Sequence, residues 1–138
     1  MRVYVGTTLE QLGRFRADDE VGPPPLSGHA VTPALRESYA SGDAEELEYV
    51  ALTHAAADSL SLLEADPAAT PRRVVLALDP ADGEVTAGGA GSAVTVRSAV
   101  PLRLLAAVHV DDPGVDLADA DGWELMWFAR QELDVLLA

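Results

Sequence analysis

The spacing of hydrophobic and polar residues changes along the chain, and each period predicts a different kind of element. Residues 43–66 contain neither Gly nor Pro, and Asp43 and Glu46 have the spacing of a helix N-cap and its reciprocal partner. Pro67 cannot continue a helix, because its ring clashes with the preceding turn and it has no N–H to donate. The pattern therefore predicts one long helix over 43–66. A short helix that begins near Thr32 precedes it and completes a helical hairpin.

Alternating or branched hydrophobic stretches predict the strands, at 1–5, 29–31, 73–78, 93–97 and 106–111. Residues 123–129 are either a strand or the start of a terminal helix. The aromatic residues favour a strand, with 131–137 as the closing helix. We expect an α+β (α/β-like) fold, with one domain over 1–138. Its mixed five- or six-stranded sheet is packed by helices on one face.

The strand parities separate two faces of this sheet. Hydrophobic residues such as Val3, Leu76 and Val108 share one parity and should face the helices. The opposite parity carries a polar set, namely Arg2, Tyr4, Arg73, Thr95, Arg97, His109, Asp111 and Glu124. If the strands are neighbours, His109, Glu124 and Arg97 are catalytic candidates, and Tyr4, Arg73 and Arg97 could bind an anionic ligand. A solvated sheet face or a dimer surface is the favoured alternative, because antiparallel sheets often keep one face in water.

A second group of polar residues surrounds the helical hairpin. Its members are His29, Thr32, Arg36, Tyr39, Glu48, Tyr49 and His54. His54 lies four residues before Asp58, so the two side chains share one helix face and could exchange a proton. A packing histidine with a satisfied N–H is the commoner outcome, and this group ranks below the sheet face as a catalytic candidate.

Several motif matches fail on inspection. Residues 117–128 imitate a calcium loop, but Leu117 and Phe128 occupy positions where the motif requires Asp and Glu. A weak cation site among the acidic residues of 111–121 stays open. The glycine-rich segment 88–92 has no Lys for phosphate and is interpreted as a hairpin tip. The three His lack zinc-ligand spacing, and no Ser or Thr has the context of a nucleophile elbow. We predict no metal and no cofactor.

Charge and composition restrict the partners. The 138 residues include nine basic residues, all Arg, against 23 acidic ones, for a formal net charge of −14. Nucleic acid and anionic membranes would repel such a chain. The chain has no Cys, which removes disulfides and thiolate chemistry. No apolar run approaches the ~20 residues of a membrane span, and no signal-peptide pattern opens the chain. We therefore expect a cytoplasmic protein.

Five segments follow one another along the chain, namely MRVYVGTTLEQL, AVTPALRESYASGDAEELEYVALTHAAADSL, RRVVLALD, VPLRLLAAVHVDD and ELMWFARQELDVLL. Together they resemble an uncharacterised actinobacterial family of unknown function. The resemblance implies a small intracellular actinobacterial protein and brings no activity, cofactor or site residue with it.

Two functional hypotheses follow. The leading one is a non-enzymatic interaction or regulatory protein that self-associates as a homodimer and could meet a basic protein partner through its acidic surface. The alternative is a small enzyme or binding protein that uses the Arg, His and carboxylate residues of the polar sheet face on an anionic metabolite. Convergence of those side chains on one pocket would favour the alternative.

Overall fold

The computed structural model describes residues 1–39, 42–118 and 125–138. Four α-helices are present in this part of the chain: α1 (Leu9–Asp18), α2 (Pro33–Ser38), α3 (Ala44–Ala65) and α4 (Leu133–Leu136). Short 3-10 turns lie at Asp82–Glu84, Leu102–Leu104 and Arg130–Glu132. The Asp43 side chain accepts a hydrogen bond from the Glu46 N–H at the start of α3, so the predicted cap and the long helix are both found.

Nine strands form two sheets within the described residues. Their bounds are β1 (Val3–Thr7), β2 (Glu20–Val21), β3 (Leu26–His29), β4 (Val74–Leu78), β5 (Val85–Ala87), β6 (Ala93–Val96), β7 (Val100–Pro101), β8 (Leu105–Val110) and β9 (Met126–Ala129). The large sheet has the order β5-β6-β3-β1-β4-β8-β9, and β2 pairs with β7 in a separate ribbon. Every strand pair is antiparallel.

The α+β class is confirmed, and the sheet differs in detail from the prediction. It has seven strands rather than five or six, and it is antiparallel rather than mixed. The three-residue strand β5 and the two-residue strands β2 and β7 are not predicted from the sequence, because they are too short to show an alternation. The strand predicted over 123–129 is found at Met126–Ala129.

One face of the sheet carries the large aliphatic core, as its parity predicts. Val3, Leu76 and Val108 are fully buried there. Leu12 of α1 and Leu133 of α4 belong to the same cluster, so these two helices cover this face. The β2–β7 ribbon adds Val21 and Val100 to the cluster.

The opposite face is not left to water, and the prediction of helices on one face is wrong. Helix α3 packs there, with Ala51, Ala55 and Ala56 against Tyr4 and Val75. These alanines are short, so the helix can lie against a face whose strands carry polar side chains at their ends. The central part of the buried stripe of α3, between Leu47 and Leu63, is therefore built from small residues, which the spacing of large hydrophobic residues does not reveal.

Two backbone-level contacts hold α3 on the sheet. Gly6 of β1 lies under the helix, and a Cβ built there would be 2.3 Å from the Ala55 carbonyl oxygen. The buried Ser59 hydroxyl donates to the Thr7 carbonyl at 2.7 Å and accepts from the Val74 N–H at 2.9 Å. Ser59 thus joins α3 to the adjacent strands β1 and β4, and its hydroxyl is satisfied in both directions.

Candidate functional site

Two of the predicted site residues meet beneath the first half of α3. The rings of Tyr4 (β1) and His109 (β8) have centroids 6.4 Å apart. Burial, and then the neighbouring Glu48 carboxylate, raise the pKa of the Tyr4 phenol. Burial, and then the positive charge of Arg2, lower the pKa of His109. The arrangement keeps a neutral phenol beside an imidazole that resists protonation.

Arg2 and Glu48 complete the surroundings of Tyr4. The Arg2 guanidinium donates two parallel hydrogen bonds to Asp79, each 3.0 Å long, and this interaction raises the pKa of Arg2. The Oε2 atom of Glu48 is buried and accepts no hydrogen bond within the described residues. The charge of Arg2 is therefore committed to Asp79, and no described residue donates to this oxygen of Glu48.

Arg73 lies in a buried ion pair rather than at an open binding surface. Its side chain is buried and donates to both carboxylate oxygens of Asp111, with Nε–Oδ2 and Nη2–Oδ1 distances of 2.7 Å. The Arg73 N–H also donates to Asp111 at 2.8 Å. This pair joins the start of β4 to the end of β8, where the strands run side by side.

Arg97 and His109 do not come together. Arg97 follows β6, and strands β3, β1 and β4 separate β6 from β8, which amounts to about 19 Å across the sheet. The exposed Arg97 guanidinium donates to the Gly83 carbonyl in the 3-10 turn before β5. Glu124 lies outside the described residues. The candidate residues of the polar face are therefore divided among at least three places.

A different group forms a continuous hydrogen-bonded chain beside the second half of α3. His29 of β3 places Nε2 2.7 Å from Asp58 Oδ2 and Nδ1 2.7 Å from the Ser92 Oγ. His54 of α3 places its own Nδ1 2.8 Å from the same Ser92 Oγ. The two imidazole rings are 5.5 Å apart in an edge-to-face arrangement. We call these four residues, His29, His54, Asp58 and Ser92, the Ser92 cluster.

Burial differs sharply within the Ser92 cluster. Ser92 is 2% exposed, while the His54 and Asp58 residues are exposed and His29 is half-buried. Ser92 sits at the end of the 88–92 segment, which closes the β5–β6 hairpin, so the hairpin-tip prediction is confirmed. Thr32, the N-cap of α2, donates to the Gly91 carbonyl and helps to fix this tip.

Sequence reasoning found part of this cluster. The i, i+4 spacing of His54 and Asp58 placed both on one helix face, and His29 was grouped with His54. Asp58 bonds to His29 rather than to His54. Ser92 was missed, because the contact depends on the docking of the β5–β6 hairpin tip against α3.

The structure bears on the remaining sequence hypotheses only in part. Asp111 is committed to Arg73, and residues 119 and 121 of the predicted acidic cation site lie outside the described residues. In the described part of the chain, no three His, Asp or Glu side chains are grouped so that they could hold a metal ion. Over the same residues, no helix is both long and apolar enough to cross a membrane.

The chain matches a known protein family. The family model of DUF6912, a family of unknown function, matches residues 1–137. The comparison with curated proteins and the comparison with solved structures returned no match.

Proposed function

The chain belongs to DUF6912, a family of unknown function, and from its sheet geometry we propose a non-enzymatic interaction protein that self-associates as a homodimer through β9. The observation that carries this proposal is Trp127. It is 60% exposed, and it lies in the middle of the strand that ends the large sheet. A large aromatic side chain on an edge strand is typical of a surface that is covered by another chain.

The backbone of β9 supports the same surface. The Ala129 N–H donates to Glu132 Oε1 at 2.9 Å, so it points away from the partner strand β8. Because outward groups alternate along an antiparallel edge, the N–H and C=O of Trp127, two residues earlier, point to the same side, where no strand of the described residues pairs with them. These groups can pair with a strand from another molecule.

A second copy fits this edge by symmetry. If two β9 strands pair antiparallel around a two-fold axis at Trp127, each Trp127 exchanges both backbone hydrogen bonds with its counterpart. The two indoles then lie on the same face of a joined sheet. Arg130 directly follows β9, so one of the nine basic residues of each chain lies next to this strand, where its guanidinium donates to the Arg103 carbonyl. In the pair of chains, the charge of the two Arg130 residues offsets part of the repulsion between two chains of net charge −14.

We also propose that the protein binds a basic protein partner, that it is located in the cytoplasm and that it comes from an actinobacterium. The acidic excess supports the basic partner, and the sequence resemblance supports the source. The alternative of an anionic-metabolite site on the polar sheet face has less support. Three strands separate Arg97 from His109, and the Arg73 guanidinium is paired with Asp111.

Light scattering coupled to size exclusion tests the proposal over a range of protein concentrations. The wild type should approach twice the chain mass of 14.5 kDa as concentration rises. Trp127→Glu should remain a monomer, because association would bury the charge of the introduced carboxylate between the two β9 strands and its desolvation costs free energy. Val135→Glu is the matched control, since Val135 is a hydrophobic residue of α4, outside β9, that is 74% exposed, and it should behave as wild type. A wild type that stays monomeric, or equal loss in both variants, would contradict the proposal.

A further inference from the structure

We propose that Ser92 is a covalent acyl acceptor, with its hydroxyl activated by His29 and Asp58 to take one acyl group from a small activated ester. This inference concerns a site away from the β9 edge and does not depend on self-association. It rests on the geometry of the Ser92 cluster, in which a carboxylate, an imidazole and a hydroxyl are joined in the order used for nucleophilic serines.

Counting protons assigns each hydrogen bond a direction. An ionised Asp58 accepts only, so His29 must donate from Nε2. A neutral His29 then has Nδ1 free to accept, and the single Ser92 hydroxyl proton is donated to it. His54 must therefore donate from Nδ1 to the Ser92 Oγ, because that oxygen has no second proton to give. With both imidazoles neutral, this assignment gives each of the five bonded atoms a complementary role, and it directs the serine proton toward a base.

The same directions define the chemical step. The Ser92 Oγ attacks the carbonyl carbon of the ester, and its proton passes to His29 Nδ1. Asp58 stabilises the imidazolium and holds the ring in place. The bond from the carbonyl carbon to the leaving oxygen breaks, and that oxygen receives the proton from His29. The products are an ester on Ser92 and a free alcohol or phenol, and no oxidant or reductant is required.

Burial determines which donors can react and what happens afterwards. His54 is exposed and bonded to a serine that is 2% exposed, so its ring lies on the solvent side of the Oγ. Exposed side chains change rotamer in picoseconds to nanoseconds, so His54 can swing aside and admit a small acyl group. Because the chain has a net charge of −14 and Asp58 lies at the surface, uncharged acyl donors are favoured over anionic acyl donors. We expect the ester on the 2% exposed Ser92 to hydrolyse slowly, so that acylation stops after one group per chain.

The experiment uses p-nitrophenyl acetate as the probe, with intact-mass analysis and peptide mapping of the folded protein. We expect a burst of one p-nitrophenolate per chain, one added acetyl group and its location at Ser92. The chain has no Lys, so the competing amine is the N-terminus, which mapping separates from Ser92.

Variants distinguish an activated serine from a structural one. His29→Gln should slow acylation by about 10²- to 10⁴-fold, the range lost with a general base. Asp58→Asn, at an exposed position, should also slow it while thermal unfolding stays close to wild type. His54→Ala should accelerate acylation by uncovering the Oγ. Ser27→Ala, an exposed serine on β3, should react as wild type.

Three results would overturn the proposal. The first is a folded wild type with no acetyl group on Ser92. The second is an Asp58→Asn protein that reacts as fast as wild type, which would mean that the cluster only docks the hairpin tip. The third is continued turnover past one equivalent, which would mean that the ester is not protected.

Discussion

Gly6 of β1 and Ala55 of α3 lie so close together that no side chain fits between them. A Cβ on Gly6 would be 2.3 Å from the Ala55 carbonyl oxygen and 2.7 Å from the Ser59 nitrogen. Both neighbours are helix backbone, which cannot rotate away as a side chain can. The position of α3 over the polar face of the sheet, and with it the Ser92 cluster, depends on this contact.

Gly6→Ala should therefore destabilise the protein. We expect a loss of about 1–3 kcal/mol or more in the free energy of unfolding, because the helix must move off the sheet to admit the methyl group. Gly13→Ala is the matched control. Gly13 lies inside α1, nothing lies within 4 Å of its added Cβ, and the substitution should stabilise by about 0.5–1 kcal/mol. Urea unfolding of both variants checks the pair, and similar effects at the two positions would contradict the close-approach argument.

The buried ion pair should be far more sensitive than an exposed one with similar geometry. Asp111→Asn leaves the Arg73 guanidinium buried beside a neutral amide, and we expect a cost of about 3–5 kcal/mol. Asp79→Asn breaks the bidentate pair with Arg2, whose side chains are 44% and 48% exposed, and should cost less than about 1 kcal/mol. Chemical denaturation measures both. Equal costs would show that burial does not control the contribution of Arg73 and Asp111.

His109 should make stability depend on pH. Because burial and Arg2 lower its pKa in the folded state, the unfolded chain binds its proton first as pH falls. Stability is then complete above the unfolded value of about 6.5 and is lost as pH falls through the lowered folded pKa. His109→Gln should flatten this part of the profile in urea unfolding between about pH 7.5 and 5. An unchanged slope in the variant would rule out His109 as its source. Glu10 and Asp82, whose pKa values are lowered by Thr70 and by the N-terminal amine, act below this window.

Association through β9 should bury Trp127 and should strengthen with salt. The Trp123→Phe protein leaves Trp127 as the single tryptophan, so its emission reports on this strand alone. We expect the emission maximum of Trp127 to shift to shorter wavelength as protein concentration rises. Added sodium chloride should move this shift to lower protein concentrations, because salt screens the repulsion between acidic chains. An emission maximum that is independent of concentration, while light scattering reports a dimer, would place the contact elsewhere.

The sequence by itself determined the elements whose signals are local. Asp43 and Pro67 bound a segment with no helix breakers, so α3 could be predicted from capping chemistry and from chain geometry alone. Residue alternation likewise determined which side chains of β1, β4 and β8 share a face, since the period of a strand is fixed.

The tertiary structure alone decided what covers each face and which distant residues meet. Large hydrophobic residues identified the aliphatic core, but the opposite face is covered through alanines and a glycine, whose burial leaves no hydrophobic pattern. Strand order separated Arg97 from His109, and hairpin docking placed Ser92 against two histidines 63 and 38 residues away. Such contacts follow from how the elements pack together, and no local spacing in the chain encodes that packing.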